Sequence, residues 1–102
     1  MKTNVDTTSA DIPKNVLLLR LFSAAQNEHE MSQLLDALLT PAENEDIQER
    51  ADIIRGILSG KTQREIAKHT GASLATVSRG SREVKFGSGI LQKLFERVSV
   101  KF

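Results

Sequence analysis

The first fifteen residues, "MKTNVDTTSADIPKN", alternate polar positions with no apolar stretch behind the lysines. Such a segment has nothing to bury, and residues 1–13 up to Pro13 are expected to form a disordered polar arm. "KNVLLLRLFSAAQNEHE" then reads as one helix, apolar on nearly every side at Val16, Leu17, Leu18, Leu19, Leu21 and Phe22. A surface helix of a small monomer needs a single apolar stripe. A helix apolar all round needs cover on several faces, and a partner subunit is the simplest source of it. "MSQLLDALL" predicts a second short helix with Leu34, Leu35, Leu38 and Leu39 on one side.

The third helix is the clearest, over "TPAENEDIQERADIIRGILSG". Thr40 suits the N-cap, Pro41 the first helical position, and Glu43 completes a capping box. Ile47, Ala51, Ile54 and Leu58 form a stripe at helical spacing, and Gly60 is a natural stop. Thr62 and Glu65 form a second capping box that opens a fourth helix, which Gly71 ends. Ser73 caps a fifth, "LATVSR". Gly80 interrupts the apolar pattern, so a further helix is expected to resume at Ser81. Gly87 and Gly89 make a break before "ILQKLFERV", an amphipathic helix with Ile90, Leu91, Leu94, Phe95 and Val98 on one face. No strand-like alternation, tandem repeat or low-complexity tract occurs. The expected fold is all-α, with six to seven helices and one domain over residues 14–102.

Composition narrows the chemistry. Cysteine is absent from the 102 residues. That removes disulfides, thiolate metal sites and a cysteine nucleophile, and it fits a cytoplasmic location. No apolar run is long enough to span a bilayer, so no membrane partner is expected. His29 and His69 fall on different helices without ligands at metal spacing, and no phosphate loop or nucleophile motif is present. An enzyme is therefore the least supported class. The net charge of +1 conceals an asymmetry. Residues 1–59 carry five Lys/Arg against ten Asp/Glu, whereas residues 60–93 carry seven against two. A basic half beside an acidic half suits one face that meets a polyanion.

The basic half contains "TQREIAKHTGASLATVSRGS", residues 62–81. Its two helices would be Gln63–Thr70 and Leu74–Arg79, joined where Gly71 permits a positive φ. Ile66 and Ala67 face inward, with Leu74 and Val77 locking the second helix on the first. This is the pattern of a helix-turn-helix, whose second helix enters the major groove of double-stranded DNA by its N-terminal end. Gln63, Arg64, Lys68, Ser73, Ala75, Thr76 and Ser78 face outward, with Leu74 at the helix start beside them. Basic and hydroxylic side chains are those that phosphates and base edges require. An ordinary helical hairpin of a small bundle is the bland alternative.

From "LLTP" through Arg50, "TQREIA" and "GASLATVSRGS" to the late amphipathic helix, about residues 14–98, the chain resembles the tryptophan operon repressor family. The resemblance implies an intertwined all-α homodimer that binds a palindromic operator of tryptophan-related genes when loaded with L-tryptophan. It implies an indole held between Arg50 and Arg79, and a ligand carboxylate on Arg79 and on Thr40 of the other subunit. Leu39 would line the pocket, and Gly80 would let the ligand approach the backbone. The residues suit such a ligand independently: a guanidinium pairs with a carboxylate and stacks flat on an indole. A simple ion-pair network within "QER" is the alternative role for Arg50.

Three positions depart from the family pattern. Glu83 stands where a small serine is usual; a carboxylate there either binds the ligand ammonium or pairs with Arg79 four residues earlier. The turn "SGKTQ" is one residue shorter, and Ala37 replaces a commoner leucine. The rival reading is a helix-turn-helix module without a small-molecule switch, of the transposase-accessory or replication-initiator type. "LLTP" and Arg50 weigh against it, since DNA contact alone does not need them.

Overall fold

The structure is a computed structural model whose described residues are 11–98, so the expected polar arm lies, up to Ala10, outside the described residues. Six α-helices and no strand are found among them: α1 Lys14–Ala24, α2 Glu28–Leu38, α3 Pro41–Leu58, α4 Gln63–Thr70, α5 Leu74–Phe86 and α6 Ile90–Val98. The all-α expectation holds. None of these helices is long and apolar enough to cross a membrane. The chain divides into two compact units, Met1–Pro41 and Ala42–Phe102.

In the first unit both expected helices form, but the boundary between them, expected after residue 30, lies at residues 25–27. α1 opens after Pro13, whose carbonyl accepts from the Leu17 amide at 2.9 Å. It stops at Ala24, six residues early. The cause is local: the Asn27 side chain accepts from the Glu30 amide at 2.8 Å, and Glu30 Oε1 accepts from the Gln26 amide at 2.9 Å. Two reciprocal bonds satisfy donors that a helix start leaves open, and α2 begins there. No residue of α1 is buried; Leu18 is 45% and Leu19 63% exposed.

The second unit has a small core of Ile53, Ile66 and Val77, with Ile57, Ala67 and Ala72 packed against it. Ile53 and Ile54 are the buried residues of α3. The expected stripe is inward only in its second half: Ile54 is buried and Leu58 half-buried, whereas Ile47 and Ala51 are exposed, and Ile53 and Ile57 join the core built with α4 and α5. α3 ends in a left-handed glycine, Gly60 at φ 86. The Gly60 amide donates to Ile57 O and the Lys61 amide to Gly56 O, both at 3.1 Å, so two otherwise free carbonyls are satisfied.

Gly56 fixes how closely α3 and α4 approach. A Cβ there would stand 2.8 Å from Ile66 Cγ1, so Ile66 packs directly over the bare backbone of α3. α5 also differs from expectation. It runs unbroken through Gly80 to Phe86, with no new helix at Ser81. Gly80 serves packing rather than a turn: a Cβ would meet Ile53 Cγ2 at 3.0 Å and Ile57 Cδ1 at 3.3 Å. The break comes at Gly87, whose amide donates to Glu83 O at 2.9 Å. Gln92 Nε2 of α6 then donates to Val84 O of α5 at 2.9 Å, tying the two helices.

Candidate nucleic-acid interface and ligand groove

The α4–turn–α5 pair forms as the sequence predicts, because each end carries its own cap. Thr62 Oγ1 accepts from the Glu65 amide at 3.1 Å and Glu65 Oε1 accepts from the Thr62 amide at 2.8 Å. These bonds, the backbone one first, hold the Glu65 carboxyl below the usual carboxylate range. Gly71 closes α4 at φ 81, its amide donating to Ala67 O at 2.8 Å. Ser73 Oγ accepts from the Thr76 amide at 3.1 Å and starts α5.

Ile66 and the fully buried Val77 clamp the pair. Leu74 does not: it is 50% exposed. Gln63, Arg64, Lys68, Ser73 and Ala75 are exposed, whereas Thr76 and Ser78 are half-buried. The Thr76 hydroxyl lies 3.0 Å from Ser73 Oγ, so the two hydroxyls share one hydrogen bond at the tip of α5.

A groove of about 340 Å³ opens between α3 and α5, lined by Arg50, Ile53, Ile54, Thr76, Arg79, Gly80, Glu83 and Leu91. Two helical faces make its walls. Arg50, Ile53 and Ile54 stand at i, i+3 and i+4 on α3; Thr76, Arg79, Gly80 and Glu83 stand at i, i+3, i+4 and i+7 on α5. Residues so spaced share one side of a helix. Leu91 of α6 adds an apolar edge. Four of the residues expected at a ligand site, Arg50, Arg79, Gly80 and Glu83, therefore meet in one groove. Leu39, the C-cap of α2, and Thr40 belong to the first unit. Ile53, Ile54 and Leu91 are wall residues that the sequence reading did not assign, and Thr76 was assigned only to DNA.

Among the described residues Arg50, Arg79 and Glu83 form no ion pair; the expected alternative pairing of Glu83 with Arg79 is not made. Asp52 instead binds Arg55 beside it and lies 3.7 Å from His69 Nε2, so Arg55 rather than Arg50 is the paired arginine of α3. The groove thus offers two unengaged guanidiniums, one unengaged carboxylate and an aliphatic wall. Such a set suits a small ligand with an anionic group and a flat apolar body. No group of three metal-ligating side chains is found among the described residues.

The family model described as "Trp repressor protein" matches residues 15–99. The chain belongs to the Trp repressor family. Among its relatives, the "Trp operon repressor homolog" of Vibrio vulnificus (strain YJ016) is 42% identical over 67 residues, 65% of this chain and 64% of that protein. That of Vibrio cholerae is 40% identical over 73 residues, 71% of this chain and 69% of its own. That of Chlamydia trachomatis serovar D is 41% identical over 68 residues, 66% and 72%. The chain thus spans a little under two thirds of the first relative's length. No solved structure gives a significant match. For a Trp repressor family chain, the groove wall made by α5 has a particular consequence, since α5 is also the second helix of the helix-turn-helix.

Proposed function

We propose that this Trp repressor family protein is a DNA-binding transcriptional repressor whose operator affinity rises when L-tryptophan occupies the α3–α5 groove. The observation that carries the reading is the double duty of α5. Ser73, Leu74, Ala75 and Thr76 stand at its N-terminal end, while Thr76, Arg79, Gly80 and Glu83 face the groove. A ligand wedged against α5 biases the tilt of the helix that reads DNA, and a small tilt moves every contact at its tip. Arg50 and Arg79 would hold the indole between them, with Arg79 also taking the carboxylate.

The working form is a homodimer on a palindromic operator. The exposed apolar surface of α1 supports it, because burying one leucine is worth ~1.5–3 kcal/mol and α1 leaves several uncovered. In that dimer Leu39 and Thr40 are proposed to complete the ligand site, Thr40 from the partner subunit. The two reading helices must lie about one DNA turn apart, ~34 Å; the Trp repressor is itself a standard instance of this docking.

The test begins by selecting a duplex from random DNA with the protein and L-tryptophan. Operator affinity is then measured across a tryptophan titration. The chain has no Trp and no Tyr, so all indole fluorescence comes from the ligand, and its change on adding protein reports binding. A coupling of ~1–3 kcal/mol, or about 5- to 150-fold, is expected, and linkage requires DNA to tighten tryptophan by the same factor. Full DNA affinity without ligand, and no protein-dependent change in the indole fluorescence, would leave the unswitched helix-turn-helix module as the correct reading.

A further inference from the structure

A serine or threonine hydroxyl on a helix commonly turns back to a carbonyl three or four residues earlier. Two in the second unit do so: Thr70 Oγ1, at the end of α4, donates to Ile66 O, and Ser59 Oγ, just past α3, donates to Gly56 O, both at 2.8 Å. Thr76 bonds differently. Its Oγ1 lies 3.0 Å from the Oγ of Ser73, the cap of α5, and that same Ser73 oxygen accepts from the Thr76 amide at 3.1 Å. The two residues have different surroundings. Thr76 is half-buried and lines the α3–α5 groove, whereas Ser73 is exposed and is not one of the lining residues. A threonine hydroxyl and methyl share one Cβ and turn together about χ1. Holding the hydroxyl at the tip of α5 therefore also fixes where the methyl stands.

We infer that Ser73 is a positioning residue for the ligand of the groove: from outside it, Ser73 holds the Thr76 hydroxyl and so keeps the N-terminal end of the groove in one shape. The inference rests on the groove being the corepressor site. Without the Ser73 hydroxyl, Thr76 is free to turn its oxygen to a carbonyl one turn back, as Thr70 does, and its methyl moves with it. A helical threonine divides between two χ1 positions. One of them is the wall that the ligand meets, so the competent fraction falls from near one to about a half. The apparent dissociation constant then rises about twofold, since it scales inversely with that fraction. The Ser73–Thr76 pair thus joins a groove residue to a residue of the proposed DNA-reading tip through a single bond.

The experiment uses the full chain without DNA, with L-tryptophan as the probe, followed by calorimetry and by the change in ligand fluorescence. Wild type is compared with Ser73→Gly, Ser73→Thr, Thr76→Val and the double variant Ser73→Gly/Thr76→Val. Glycine is an accepted N-cap, so Ser73→Gly removes the hydroxyl while keeping the helix start, which far-ultraviolet circular dichroism verifies. Ser73→Gly is expected to weaken tryptophan about twofold, and Ser73→Thr, which restores a hydroxyl, to bind within error of wild type. Thr76→Val keeps the branched shape but leaves no hydroxyl to hold, so adding Ser73→Gly to it should change tryptophan affinity no further. An affinity unchanged by Ser73→Gly would overturn the inference and leave the corepressor groove standing. The same loss persisting in the Thr76→Val background would overturn it too, because the serine would then act through the helix start and not through Thr76. Failure of wild type to bind tryptophan would instead remove the corepressor reading, and this inference with it.

Discussion

Gly56→Ala is expected to destabilise the protein even though alanine is the better helix former. The new Cβ would lie 2.8 Å from Ile66 Cγ1 and 3.1 Å from its Cδ1. Carbon pairs prefer separations of ~3.5–4.0 Å, so the nearest approach is short by roughly 0.7–1.2 Å. Ile66 is 2% exposed and β-branched, which leaves it little room and one strongly preferred χ1 on a helix. Either Ile66 leaves its rotamer or α4 moves away from α3. Overpacking of this kind costs ~1–3 kcal/mol, and the higher helix propensity of alanine returns ~0.8–1 kcal/mol. A net loss of up to about 2 kcal/mol follows, at about 4–8 °C in Tm per kcal/mol for a domain of this size. Thermal unfolding at one fixed protein concentration measures it. The same change made in an Ile66→Ala background should be neutral or stabilising, because the obstructing atoms are gone. A Gly56→Ala protein more stable than wild type, or a cost that persists without the Ile66 side chain, would refute the close approach of α3 and α4.

Four other outcomes are expected. Thr62→Ala should cost ~1 kcal/mol by chemical denaturation, since it removes the hydroxyl that caps α4. Because the Glu65 carboxyl is held below its ordinary range in the folded chain, its contribution is present above that range and lost as pH falls through the lowered value. The stability gap between wild type and Glu65→Gln should therefore shrink on acidification, and a gap constant with pH would contradict the capping bond. Arg64→Ala with Lys68→Ala should weaken binding to all duplexes and flatten the dependence of log affinity on log salt, by about 0.9 for each phosphate no longer neutralised; an unchanged slope would mean that this face does not meet the backbone. Sedimentation at micromolar concentration should find a dimer, and Leu18→Glu should block assembly or unfold the chain, whereas a stable wild-type monomer would show that α1 needs no cover.

Much of the fold was legible wherever a helix end carries its own chemistry. Thr62, Glu65, Gly71 and Ser73 act within four residues of themselves, so their spacing alone locates α4, the turn and the start of α5. The division of α1 from α2 was written in the same code, Asn27 followed three residues later by Glu30, but the long apolar run before it masks that signal. Gly80 and Gly56 were illegible for a different reason. Gly80 was read as a break and Gly56 passed as an ordinary helical position, because the partner that requires a glycine lies elsewhere in the chain. The partners here are Ile53 and Ile57 for Gly80, and Ile66 for Gly56, on other helices. The partly inward stripe of α3 has the same origin, because which side of that helix is inward depends on where α4 and α5 dock.

The groove shows how one misread residue hides a site. Arg50, Arg79, Gly80 and Glu83 were reached by resemblance, yet a physical signal for them was present. Thr76, Arg79, Gly80 and Glu83 follow one another at i, i+3, i+4 and i+7, and Arg50, Ile53 and Ile54 at i, i+3 and i+4. The first pattern exists only if α5 continues through Gly80, so a break placed there cuts the face in two and strands Glu83 on a separate helix. Once the helix is whole, Thr76, expected only at a DNA-facing position, also lines the groove, because the same turn of α5 carries both the groove lining and the Ser73 cap. The absent side chain of Gly80 is then the condition for the groove. It lets α5 press against Ile53, and that packing brings the α5 face and the α3 face close enough for Arg50, Arg79 and Glu83 to line one groove.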